Sequence, residues 1–266
     1  MNLATDNDSM ARVVLAGNPN SGKTSLFNRL TGARQHVGNY PGVTVESREG
    51  KLQLGERTVR LEDLPGTYGL EPWSAEEKVA REELIDHRPD AAVIVVDSSA
   101  PERGISFYLQ VQLAGIPTIL CLNMADEARD AGQVLDVSEL THALHGPVVE
   151  TVAHTGEGVD ALLLELERIL EPSEEAERPA IFHGELAVAI GNLSASLGAL
   201  PNLRLPAEYL AMQVLAGTVS VEALAGAGQE GLHESVGRAR REVEESYGQD
   251  IAVVLASAFF DTASRL

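Results

Sequence analysis

The first 170 residues alternate short aliphatic and β-branched runs with stretches whose apolar positions recur at helical spacing. Residues 12–16 (RVVLA) form an apolar run that stops at a glycine, and 23–30 follow with helical spacing. Residues 58–61 read as a strand running into Asp63. The runs 91–96 (AAVIVV) and 117–122 (PTILCL) are continuous, and 147–152 is nearly so. A strand covered on one face alternates polar and apolar positions, whereas one covered on both does not. These runs therefore predict buried strands of a parallel sheet. Helical spacing over 74–86, 102–114, 137–144 and 159–170 supplies the crossovers. The expectation is an α/β domain over 1–170, a mostly parallel sheet with helices on both faces. Ser74 and Glu77 have capping-box spacing, which starts a helix just after Ser74.

The pattern changes at 171–180 (EPSEEAERPA), an acidic segment with two prolines that reads as a linker. Beyond it the strand signals stop. Residues 182–200, 206–216, 219–225, 232–247 and 251–263 favour helix and are separated by Gly, Pro or Asn. They predict a small all-helical domain over 181–266. The apolar run 251–260 is about half the ~20 residues of a membrane helix and reads as a buried helix. The start, MNLATDNDSM, has neither the basic end nor the apolar stretch of a signal peptide. A soluble chain is expected.

Composition adds three constraints. Aromatics are 4% against 44% hydrophobic residues, so the core is aliphatic. The net charge of -20 repels phosphate backbones, which argues against nucleic acid as a partner. A single cysteine forms no internal disulfide, and Cys121, inside the apolar run 117–122, reads as a core residue.

The chemistry sits where predicted strands end. Gly17, Asn18, Pro19, Asn20, Ser21, Gly22, Lys23 and Thr24 match the P-loop pattern between a strand and a helix. Glycines let the backbone wrap a phosphate, the N–H groups of 20–24 turn inward, and the helix start adds positive partial charge. Lys23 bridges the outer phosphates, and the Thr24 hydroxyl is a Mg²⁺ ligand. Ser25, next on the helix, extends the phosphate-binding stretch. Asp63-Leu64-Pro65-Gly66 ends the following strand. There Asp63 would hold Mg²⁺ through water, and the Gly66 N–H would meet a γ-phosphate. Thr44, between these motifs, is the candidate second hydroxyl on Mg²⁺.

Asn123-Met124-Ala125-Asp126 follows the strand ending at 122 and selects the base. The Asp126 carboxylate can accept from both N–H donors of guanine's Watson–Crick edge, where adenine offers a different pattern. A buried carboxylate left unpaired costs ~1–3 kcal/mol or more, enough to discriminate. Asn123 would tie this loop to the P-loop. The expected ligands are GTP or GDP with Mg²⁺, and Asn20, Lys23, Thr44 and Gly66 are the candidate catalytic residues. Thr67 stands where many GTPases carry a water-orienting glutamine, so intrinsic hydrolysis should be slow or use another device. Arg34 and Arg48 flank the Thr44 segment and read as solvated. His142 and His145 lack a third ligand, and Glu242, Glu244 and Glu245 read as a solvated face.

The strings GNPNSGKTSLFNRLTGARQHVGNYPGVTVESREG, DLPGTYGL and LNMADEA resemble the cytosolic N-terminal region of the ferrous iron transport protein B family. Met124 and the 38–46 segment are typical of it, which adds Gly42 and Val43 to the nucleotide-binding set. Residues 204–217 and 250–266 are similar to that family's helical domain. The resemblance implies a Ras-like G domain followed by a helical regulatory domain. It also implies a C-terminal transmembrane domain moving Fe²⁺ at the cytoplasmic face of the bacterial inner membrane. It assigns K⁺ to Asn20 with the backbone carbonyls of Gly38 and Tyr40, and leaves room for small cytosolic regulators and a second copy of the chain. The family's Ser-Ala-like pair against guanine O6 is Ala153 and His154 here, where only backbone N–H groups are offered. Two other readings stay open: a soluble GTPase of ribosome assembly or tRNA modification, and a GTP-dependent binding switch without turnover.

Overall fold

Three apolar runs become strands whose residues are buried almost without exception: β1 (Arg12–Ala16), β5 (Ala91–Asp97) and β6 (Thr118–Asn123). Burying a Val, Leu or Ile side chain contributes roughly 1.5–3 kcal/mol, so these central strands anchor the fold. The structure, a computed structural model, describes residues 10–32, 35–172, 178–226 and 230–266. Arg34, the middle of the 171–180 segment and the first nine residues lie outside the described residues. The chain divides into two compact units. One holds residues up to Gln112 with Ile116–Pro179, and the other holds Leu113–Gly115 with Ala180–Arg265.

The first unit carries a seven-stranded sheet ordered β2-β3-β4-β1-β5-β6-β7, with β2 (Gln35–Asn39), β3 (Glu46–Leu54), β4 (Arg57–Asp63) and β7 (Val148–Glu150). Strands β4, β1, β5, β6 and β7 are parallel, and β2 and β3 pair antiparallel at one edge. Helices α1 (Lys23–Thr31), α2 (Ala75–Arg81), α3 (Glu102–Leu113), α4 (Ala125–Asp130) and α5 (Val137–Leu144) lie between the strands, and α6 (Val159–Ile169) follows β7. The fold class read from the pattern holds. Helix α2 starts at Ser74, whose hydroxyl accepts from Glu77 N–H (3.1 Å), while Glu77 reaches back to Trp73 N–H (2.8 Å) rather than to Ser74. It continues into a π-helical turn at Glu82–Asp86.

The hairpin β2–β3 and the short helix α4 carry no pattern that predicts them. β2 is exposed at every residue but Gly38, so it has no apolar period. Only the far half of β3 turns Leu52 and Leu54 inward. Leu15 and Arg48 both pair with Asp63, so the hairpin tip at 40–45 projects from the carboxyl end of the sheet. Ligands of open α/β sheets bind at that end.

The second unit consists of α7 (Gly184–Gly198), α8 (Ala207–Ala216), α9 (Val221–Ala225), α10 (Glu230–Tyr247) and α11 (Ile251–Arg265). Leu186, Ile190, Leu193 and Leu197 bury one stripe of α7, and α8 is buried along most of its length. Gly217 ends α8 with φ 82°, and Arg240 Nε donates to the Leu215 carbonyl (2.9 Å). Phe182 meets Phe259 edge to face at 5.8 Å. Among the described residues no helix is long and apolar enough to cross a membrane.

Candidate functional site: a phosphate loop joined to a base-selecting loop

The site assembles where β1, β4 and β6 end. Residues 17–22 form a loop between β1 and α1. Ser21 N–H (3.4 Å) and hydroxyl (2.9 Å) both donate to the Asn18 carbonyl, which closes the loop. Gly22 takes φ 82° at the N-cap of α1, where no side chain caps the first-turn amides. Those N–H groups and the helix dipole make an anion site. Lys23 is 8% exposed, and its ammonium donates to the carbonyls of Gly17 (3.0 Å) and Asn18 (2.8 Å). Burial pulls its pKa down to about 8, against the raising effect of Asp63.

Thr24 donates its hydroxyl to Asp63 Oδ2 (2.8 Å), so the sequence pair proposed for Mg²⁺ comes together. Asp63 is 7% exposed, and its Oδ1 is buried without a hydrogen-bond partner. Burial raises the Asp63 pKa, opposed by the Thr24 hydrogen bond and the charges of Lys23 and Arg48. A buried carboxylate oxygen lacking a donor, beside a hydroxyl, suits a hard divalent cation. The residues present therefore fit Mg²⁺.

Asn123 is the node between the two halves of the site. It is 1% exposed; its Nδ2 donates to the Ser21 carbonyl (2.9 Å), and its Oδ1 accepts from Thr151 Oγ1 and Ala153 N–H (both 3.1 Å). Gly22 has no Cβ because one would stand 2.2 Å from Asn123 Nδ2. Met124 turns the chain with φ 60°, which starts α4 and half-buries Asp126 on its first turn. His154 Nε2 lies 3.7 Å from the Asp126 carboxylate.

Three contributors had no motif to announce them. Arg29, in the last turn of α1, donates from Nε to the Ala153 carbonyl (3.1 Å) and from its other end to the His154 carbonyl, fixing the 153–154 loop. Thr151 joins Asn123 to Cys121, whose Sγ is 3.2 Å from the Thr151 hydroxyl. Ser98 donates its hydroxyl to the Asn123 carbonyl (2.7 Å). Their signal is distributed across the sequence, and only the fold collects it.

Gly38, Tyr40 and Thr44 lie on β2 and the turn that follows it. Thr44 is exposed in the hairpin turn, where Tyr40 N–H donates to the Val45 carbonyl (2.9 Å). With Gly42, Val43, Ala75 and Glu76 it lines an open groove of about 620 Å³. Gly38 and Tyr40 line a second groove of about 540 Å³ with Arg12, Glu62, Glu83 and His87. Asn20, on the P-loop with φ 65°, lines neither. Gly66 packs against Pro19 so closely that a Cβ would stand 2.9–3.1 Å from Pro19 atoms.

A P-loop cradle, an acid–hydroxyl pair at the second strand end and an NxxD loop on a Ras-like sheet define a guanine-nucleotide-binding G domain. Residues 11–166 match the family described as Ferrous iron transport protein B, and the chain belongs to this family. It is 39% identical over 246 residues to an Fe(2+) transport protein A/Fe(2+) transporter FeoB fusion protein of Porphyromonas gingivalis, covering 90% of this chain and 29% of that protein. It is 37% identical over 238 residues to the Fe(2+) transporter FeoB of Escherichia coli K12, covering 87% of this chain and 30% of that protein. The chain thus spans less than a third of these curated relatives. Its fold is similar to the cytosolic domain of the T. maritima FeoB iron transporter in a GMPPNP form (TM-score 0.79, 30% identity, 96% of this chain and 97% of that one). It is also similar to a mutant S. thermophilus NFeoB bound to GDP (TM-score 0.82, 33% identity, 96% and 98%).

Proposed function

We propose that this chain is the GTP-hydrolysing module of an Fe²⁺ transporter, attached to a membrane domain at the cytoplasmic face of the bacterial inner membrane. The G domain occupies 1–170 in this reading, and the helical part 181–266 regulates it. The observation that carries the reading is the Asn123 node, which joins the phosphate loop at Ser21 to the base loop at Ala153. That node lets one nucleotide be held at both ends. The amides of 20–24 cradle its phosphates, and Asp126 accepts from the guanine N–H donors. The Ala153 N–H is taken by Asn123 Oδ1 (3.1 Å), so of the two backbone donors expected at the base only the His154 N–H is left to meet it. Lys23 exchanges its two carbonyl partners for the outer phosphates, and Gly66 offers its N–H to the third. Thr24 and Asp63 would hold Mg²⁺, joined by Thr44 if the hairpin tip swings in; when bound, the ion neutralises charge on the transferring phosphoryl group. K⁺ stimulation is proposed on Asn20 with the backbone carbonyls of Gly38 and Tyr40.

Replacing Asp126 with Asn tests the base assignment. An amide offers one acceptor and one donor, so guanine loses a hydrogen bond and xanthine, with an acceptor at its 2-position, gains one. Guanine nucleotide affinity should fall by about 5–150-fold, the equivalent of ~1–3 kcal/mol, while xanthosine nucleotide affinity rises. Unchanged preference sinks the assignment. One observation favours a second reading, a binding switch with negligible turnover. Thr67 is buried, and its hydroxyl is committed to the Gly69 carbonyl (2.7 Å) rather than offered to a water. Turnover in K⁺ against Na⁺ decides between them: strong stimulation by K⁺ supports the enzyme, and equal negligible rates support the switch.

A further inference from the structure

Past Gly66 the chain is pinned at three successive points. Thr67 N–H donates to the Gly17 carbonyl of the P-loop (3.1 Å). The Thr67 hydroxyl donates to the Gly69 carbonyl (2.7 Å) and accepts from Gly69 N–H (3.3 Å). Leu70 N–H donates to Oε1 of Gln110, on α3 (2.9 Å). The third pin comes from a different element, forty residues along the chain. Gly69 makes room for it: a Cβ there would stand 3.1 Å from Gln110 Oε1 and 3.5 Å from Nε2. Leu64 and Leu70, both buried, fix the two ends of the turn in the core. Beyond Leu70, residues 71–74 are exposed and lead into the N-terminus of α2.

Gly66 and Thr67 lie against Pro19 and Gly17, so whatever sets the position of 69–70 also sets how the turn meets the P-loop. The two halves of the nucleotide site draw on this turn unequally. A diphosphate is held by the 20–24 amides, Lys23, Asn123 and Asp126, none of which belongs to the turn. A third phosphate needs the Gly66 N–H. We propose that Gln110 is a positioning residue that holds the 66–70 turn in register with the P-loop and so sets how strongly the site favours a nucleoside triphosphate over a diphosphate. The proposal rests on the GTPase reading above. Preorganisation of this kind appears in the affinity for the ligand that uses the ordered segment and is silent for the one that does not.

The test uses the full 266-residue chain. Dissociation constants for GDP and for GMPPNP are measured by calorimetry in magnesium buffer, together with single-turnover GTP hydrolysis. Gln110→Leu removes the acceptor, Gln110→Glu keeps one, and Gly69→Ala crowds the amide from the other side. Loss of one neutral hydrogen bond predicts GMPPNP binding weaker by about two- to tenfold in Gln110→Leu, with GDP binding unchanged. Gly69→Ala should shift the ratio the same way, and Gln110→Glu should restore it. If Gln110→Leu does not fold, the other two variants carry the test. Equal weakening of both ligands, an unchanged ratio, tighter GMPPNP binding, or a Gln110→Glu variant that behaves like Gln110→Leu each overturns the proposal. A wild-type chain that binds neither nucleotide sinks the GTPase reading instead.

Discussion

Asn123 uses both ends of one amide, and it does so inside the protein. Its Nδ2 and Oδ1 serve three partners on two loops, and none of these has water to fall back on. Asn123→Ala therefore removes the side-chain partner of the Ser21 carbonyl and the Ala153 N–H together and leaves the Thr151 hydroxyl only Cys121 Sγ. Each buried polar group left unpaired costs ~1–3 kcal/mol, so guanine nucleotide affinity should fall at least tenfold by calorimetry. His154 predicts the opposite sign. Its ring stands 3.7 Å from the carboxylate that the base must reach, on a side chain that is mostly exposed. An exposed ion pair is worth ~0.2–1 kcal/mol, so His154→Ala should tighten guanine nucleotide binding by up to about fivefold. Weaker binding in that variant would mean the imidazole supports the base rather than competing for Asp126. The motif order along the chain makes Asn123 and Asp126 legible. The ring of His154 is not legible, since its sequence position offers only a backbone amide to the base.

Strand β1 is tied to its neighbours by more than its ladder. Arg12, at its start, is 9% exposed; its Nε donates to both Glu62 oxygens on β4 (3.0 Å each), and its terminal nitrogens reach Glu83 in the π-helical turn after α2. Burial alone would lower the Arg12 pKa, but Glu62 and Glu83 more than offset it and keep the guanidinium charged. His87 joins from the rim, 3.2 Å from Glu83. Removing one member of a buried ion network leaves unpaired charge, at a cost of about 3–5 kcal/mol. Arg12→Met should lower the urea midpoint accordingly, and Arg12→Met with Glu62→Leu should recover part of the loss. No recovery would place the effect in packing rather than charge. The sequence shows Arg12 only as the polar start of an apolar run, because its partners lie about fifty and seventy residues away. The hairpin β2–β3 is hidden for a related reason: an edge strand facing water on most sides needs no apolar period.

At the scale of the molecule, the α/β class is legible because strands buried on both faces must read as continuous apolar runs. The helical second half is legible because its breaks fall at Gly, Pro and Asn. Hairpin tips such as the one carrying Thr44 are not, because their position depends on register with Arg48 and Asp63 rather than on local pattern. Charge acts on the whole as well. With 40 acidic and 20 basic residues, the folded chain repels itself. Screening should raise Tm by a few degrees between low salt and physiological salt, where the Debye length shortens to ~8 Å. A Tm that falls with added salt would show that local ion pairs such as the Arg12 network outweigh the net repulsion. Cys121, fully buried in β6 beside Thr151, has its thiol pushed up to about 12 by burial. Because the folded pKa lies above the unfolded one, its contribution to stability is full below about pH 9 and fades as pH rises towards 12. A thiolate is the species that alkylating reagents attack, and the folded chain hides it twice, by sterics and by protonation. The chain therefore carries its own gauge: at neutral pH, iodoacetamide should modify Cys121 only through the fraction of molecules in which the centre of the sheet is open.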